Sequence, residues 1–92
     1  MPIAYSRLCD EPTTCIEVIG RGVRVEVSYR GRVIAHLTRL PWRAEAPTGI
    51  DVVSVAELRR GKLARAELLR QGARFAVAVH GRAVAVVEGV RP

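Results

Sequence analysis

The chain is written twice. When Gly31-Arg32 is laid over Gly81-Arg82, Ile3–Leu40 aligns on Val53–Val90 without a gap. Leu8 meets Leu58, Glu17 meets Glu67, Gly22 meets Gly72, Arg24 meets Arg74, Val27 meets Val77 and Ala35 meets Ala85. Other pairs keep their class, such as Ile3/Val53, Val18/Leu68, Ile19/Leu69, Val25/Phe75 and Ile34/Val84. The matched glycines fall at turns, where other residues adopt a positive φ only at a cost. This predicts one compact domain over residues 1–92. It would contain a degenerate repeat over 3–40, a linker over 41–49 and a better-kept repeat over 50–90.

Each half ends in a hairpin signal. Val23, Val25 and Val27 alternate with Arg24, Glu26 and Ser28, the period-two pattern of a strand with one buried face. Arg30-Gly31 turns the chain, and a second strand returns from Arg32 through Leu37. In the other half Phe75, Val77 and Val79 lead to His80-Gly81, and Arg82 through Val87 returns. Glycine at the second central turn position supplies the positive φ that a two-residue turn needs.

Ahead of the hairpins the halves differ. Ile50–Val53 reads as a short strand. Ser54 with Glu57 three residues on has the pattern of a capping box. A helical run over Val55–Gln71 follows, split by Gly61 and closed by Gly72. Its apolar stripe is Leu58, Leu63, Ala66, Leu68 and Leu69. In the first half Pro12 blocks a continuous helix, and Thr13, Thr14, Ile16, Val18 and Ile19 are β-branched. A shortened, irregular segment is expected there, with one helical turn near Ser6–Cys9. Two prolines and a glycine mark 41–49 as linker, with Trp42 expected to cover the edge of the core.

Aromatic residues make up only 4% of the chain, so Val, Ile, Leu and Ala must fill the core. A domain of this size buries a modest fraction of its surface, and pairing with a second copy is an ordinary remedy. The formal net charge of +6 favours a polyanion partner, nucleic acid above all. Cys9 and Cys15 lack the spacing of a redox or zinc motif and are expected as reduced thiols. No apolar run is long enough to span a membrane, and no secretory leader is evident, so a soluble cytoplasmic protein is expected. His36 on a strand and His80 at a turn belong to no catalytic motif. An enzyme is not expected, nor a metal or cofactor.

The second half resembles the Phd/YefM antitoxin family. The resemblance runs from Val53-Ser54-Val55-Ala56-Glu57-Leu58-Arg59 into Gly72-Ala73-Arg74-Phe75-Ala76-Val77-Ala78-Val79-His80-Gly81-Arg82-Ala83-Val84-Ala85. The first half keeps the hairpin portion, Gly22 through Ala35. The family pattern is a strand, a Ser-x-x-Glu-x-Arg helix start, a second helix and a hairpin with Gly-Arg or Gly-Lys at its turn. The resemblance implies an α+β fold, two copies of a strand–helix–hairpin unit forming a small sheet packed with helices. A tandem copy would fold as a single-chain pseudo-dimer; alternatively each half is a partial unit and two chains pair.

The resemblance also implies an antitoxin-like repressor of a toxin–antitoxin system that binds its own operator DNA. The helix-start arginine that contacts DNA in the family corresponds to Arg59, with Arg60 beside it. Ser54 would cap the helix and touch phosphate, and Arg82 and Arg32 stand at hairpin turns, ready for phosphate. Three features depart from the family. Val79 and Tyr29 replace a basic residue at the end of the first hairpin strand. Cys9, Asp10 and Glu11 stand where the second copy begins its Arg59-Arg60 pair. No extension of the kind that wraps a toxin is expected past the second hairpin. The alternative reading is a module that binds a toxin or another small protein and has lost DNA binding.

Overall fold

The computed structural model describes residues 2–42 and 44–90. Its elements run β1 (Ile3–Ala4), α1 (Tyr5–Asp10), α2 (Pro12–Glu17), β2 (Arg24–Tyr29), β3 (Arg32–Arg39), β4 (Asp51–Ser54), α3 (Val55–Arg60), α4 (Lys62–Arg70), β5 (Arg74–Val79) and β6 (Arg82–Gly89). All the strands join one six-stranded sheet in the order β1-β2-β3-β6-β5-β4. The α+β class expected from the sequence is the class observed.

The sheet carries the repeat in its register. Ile3 pairs with Val27 in one half and Val53 with Val77 in the other, both in parallel. Each hairpin has a register shift at the same place, between Val27 and Ser28 and between Val77 and Ala78. Both turns hold their two central residues at positive φ, Arg30 (51°) with Gly31 (79°) and His80 (51°) with Gly81 (76°). That is the type I′ geometry whose twist matches the flanking strands.

The halves meet at β3 and β6, antiparallel, where Leu37 stands opposite its own repeat-mate Val87. Beyond the ladder the Leu40 N–H donates to the Val84 carbonyl, and the equivalent Val90 N–H donates to Ile34, both at 2.9 Å. The pairing therefore maps onto itself when the halves are exchanged. Leu37 and Val87 both belong to the buried core, so the relating axis runs normal to the sheet.

The helices and the inward strand residues enclose one core. Its fully buried members include four repeat pairs, Leu8 with Leu58, Val27 with Val77, Ala35 with Ala85 and Leu37 with Val87. Burying each leucine or valine contributes about 1.5–3 kcal/mol. Tyr5 joins the halves. Its ring meets Tyr29 edge-on at 5.7 Å, and its hydroxyl donates to the Lys62 carbonyl at 2.7 Å. Burial, and then a hydrogen bond with Cys9, hold this phenol well above its ordinary range. Both cysteines are free and buried, and burial raises both thiols.

The second half forms its helices as the sequence predicts. The Ser54 hydroxyl accepts from the Glu57 N–H at 3.2 Å, and the Ser54 N–H donates back to Glu57 Oε1 at 3.4 Å. Gly61 divides α3 from α4. Past α4, Gly72 at φ 89° lets its N–H reach the Leu69 carbonyl while the Ala73 N–H reaches Leu68, both at 3.0 Å. That pair of bonds is a Schellman motif.

Three expectations are corrected. The first half is not irregular: a continuous helix is interrupted ahead of Pro12, as expected, but Pro12 then starts a second helix, α2. At the first helical position its missing N–H is no loss and its φ is already set. The β-branched residues are tolerated because Cys15 and Ile16 bury one face while Thr13 and Thr14 face out. Second, the stripe of α4 is narrower than expected. Ala66 and Leu69 are buried with Leu58, but Leu63 and Leu68 are 72% and 51% exposed. At 100° per residue, position 68 points away from the 66/69 face and position 63 lies at its edge. Third, Trp42 is 60% exposed and does not cover the core.

Candidate nucleic-acid interface

The five residues predicted to meet DNA fall in four places. Ser54 is the half-buried N-cap of α3, its hydroxyl occupied by the Glu57 N–H. That hydrogen bond, and the return bond from Ser54, hold the Glu57 carboxyl below its ordinary value. Arg59 and Arg60 do not flank the free N–H groups of a helix start. They form the last turn of the six-residue α3, where cations offset the negative end of the helix dipole.

The Arg59 guanidinium donates to the Asp10 carbonyl at 3.0 Å and so fastens α3 to the end of α1. Lys62 closes on the Asp10 carboxylate, and Arg7 pairs with Glu11 at 3.9 Å. The acidic Asp10-Glu11 pair thus has cations beside it within the fold. Arg60 is exposed.

Arg32 and Arg82 open β3 and β6 and are both exposed. Because β3 and β6 are antiparallel, the two arginines stand at opposite ends of the sheet. Continuing the register sets Arg82 opposite residue 42, ten residues along the strand from Arg32. At ~3.3 Å per residue the separation is roughly 30 Å. The whole molecule measures 32 Å along its longest axis.

Arg32 borders a shallow recess with Glu67, Arg70 and Gln71 at the end of α4. Arg82 borders the equivalent recess of the other half, of about 140 Å³, with Glu17, Arg21, Arg39 and Trp42. There the Arg82 guanidinium lies 4.9 Å from the Trp42 ring centroid and that of Arg21 lies 5.1 Å from it. Arg39 is held in place, donating to the Glu17 and Ile19 carbonyls at 3.0 and 2.8 Å.

Sequence reasoning missed Arg21, Arg39 and Trp42. No periodicity or motif marks them; only the β3–β6 register, which sets residue 42 opposite Arg82, would have found the cluster. On the open face of the sheet His36 stands in register between Glu26 and Glu88. Among the described residues no three His, Cys, Asp or Glu side chains stand together as metal ligands do. Among them, too, no helix is long and apolar enough to cross a membrane.

Comparison with known proteins finds no match to a family model, to a curated protein or to a solved structure.

Proposed function

We propose that the protein is an antitoxin-like DNA-binding protein that acts as a local transcriptional repressor, one chain doing the work of a dimer. The observation that carries this reading is the self-matching register about Leu37 and Val87 in a chain of net charge +6. An axis normal to the sheet turns Arg32 and Arg82 toward the same side, roughly 30 Å apart. That separation is close to the ~34–36 Å between half-sites one turn apart on B-DNA. Arg32, Arg82 and Arg60 meet phosphate, while Arg59, tied to Asp10, positions the end of α3. The halves are unlike, with buried Cys9 where the other half has Arg59, so the operator would be an imperfect palindrome.

The test is fluorescence anisotropy of the protein on the DNA upstream of its own coding sequence, beside a scrambled duplex, across a salt series. Preference for the upstream DNA is expected. Each of Arg32→Ala, Arg82→Ala and Arg60→Ala should reduce the slope of log K against log salt by about 0.9. Equal, weak binding to both duplexes would sink the repressor reading. The second reading, a module for a toxin or other small protein, would then be the better one. It is favoured by the Asp10–Lys62 and Arg59–Asp10 contacts, which use cations within the fold.

A further inference from the structure

We infer that Trp42, with Arg21 and Arg82, is a stacking site for single-stranded nucleic acid. One base lies on the indole, and the phosphates on either side are taken by the two guanidiniums. The inference goes beyond operator binding and does not depend on it.

Among the described residues the indole is the largest exposed hydrophobic side chain, the others being leucines and valines, and it stands in a linker, outside the core. Two guanidiniums lie against its ring at 5.1 and 4.9 Å. Arg39 lines the same recess but is committed to the carbonyls at the end of α2, so its charge is fixed there. Glu17 is the one carboxylate among the described lining residues, so the recess is net cationic.

A cation on an exposed aromatic ring is a weak contact, and a base stacked on the same ring is a stronger one. A base that takes the ring therefore displaces a guanidinium without breaking an ion pair. The displaced guanidinium is left beside the incoming backbone, where it meets phosphate with a fork of donors. Duplex DNA hides its base faces in the stack, so the ring selects an unpaired strand. The other half cannot do this. Its recess has Arg32 and Arg70, but Arg70 pairs with Glu67 at 3.5 Å and the sequence position equivalent to Trp42 is Pro92. The described residues thus form this site in one half only.

Trp42 is the only tryptophan, so its own fluorescence reports the site. The probes are an oligothymidylate of about eight nucleotides, a hairpin-closed duplex and tripolyphosphate. Saturable quenching by the oligothymidylate, with little from the duplex or tripolyphosphate, is the expected result. In anisotropy with labelled oligothymidylate, Trp42→Ala should weaken binding about five- to 150-fold. Arg21→Ala and Arg82→Ala should each lower the salt slope by about 0.7. Trp42 is exposed, so Trp42→Ala leaves the core intact, and circular dichroism checks that it folds. Absence of quenching, equal quenching by duplex, or binding by Trp42→Ala within about twofold of wild type would overturn the inference. Operator binding measured on the Trp42→Ala variant separates this failure from failure of the repressor reading.

Discussion

The two halves of this chain reach the same topology by different local means, and the clearest difference is at positions 39 and 89. In the first half Arg39 ends β3, and its guanidinium takes the carbonyl of Glu17, the last residue of α2, and that of Ile19 just beyond it. In the second half the equivalent residue is Gly89, where an added Cβ would lie 2.1 Å from the Leu69 carbonyl oxygen and 2.7 Å from that of Ala73. One helix end is finished by a side chain brought from the sheet. The other finishes itself through Gly72 and Ala73 and settles directly onto the strand. A helix end needs its carbonyls satisfied, but the fold does not dictate which groups satisfy them.

The start of the helices shows the same contrast. Ser54 and Glu57 form a reciprocal cap, whereas α1 begins at Ala4 with no side-chain cap. The first half compensates through tertiary packing, with buried Tyr5, Pro12, Cys9 and Cys15 where the second has Val55, Lys62, Arg59 and Arg65. The better-capped half is therefore the more cationic one, and the half with weaker local signals buries more of its helix surface.

Five substitutions would break or sharpen this comparison. The largest effect is expected at a core position where the halves agree, with leucine fully buried in both. Leu8→Ala and Leu58→Ala should each destabilise by about 2–5 kcal/mol in urea unfolding. Both should melt the molecule in a single transition, and loss of only half the signal would show that the halves fold separately. Gly89→Ala should cost about 1–3 kcal/mol through the clash with the end of α4, while a near-neutral result would mean that the helix end can lift off the strand.

Arg39→Ala should cost about 1–2 kcal/mol, since two carbonyls at the end of α2 lose their donor but can be reached by water. Ser54→Ala should cost about 1 kcal/mol or less. Its effect should depend on pH with a definite sign. The Glu57 carboxyl is held below its ordinary value in the folded protein, so its contribution is present above the unfolded-state value. It is lost as pH falls through the lowered one. The gap between wild type and Ser54→Ala should therefore narrow on acidification in parallel thermal melts. A gap that widened would assign the stabilisation to a group other than this pair.

Local signals made much of the second half legible. Ser54 with Glu57, Gly61, Gly72 and the two turn glycines each announced an element boundary, because each satisfies or excludes a particular backbone conformation within a few residues. The first half was harder to read for the converse reason. Pro12 marks a break, but whether helices form on either side of it depends on whether Tyr5, Leu8 and Ile16 find a core to enter. The candidate site was legible only in part. Arg32 and Arg82 were found from the turns they adjoin, but the role of Arg59 at a helix end, holding the Asp10 carbonyl, depends on a contact forty-nine residues away.

The sequence by itself determined the repeat, both hairpins with their two-residue turns, the capped start of α3 and the cationic character of the chain. These rest on short-range geometry, on φ angles only glycine accepts readily, and on simple charge. Tertiary structure alone decided how the halves join, which leucines of α4 are buried, and that Trp42 stands exposed between Arg21 and Arg82. Those outcomes depend on the β3–β6 register. A pairing between distant strands is fixed by the whole core at once, and no local stretch of the sequence contains it.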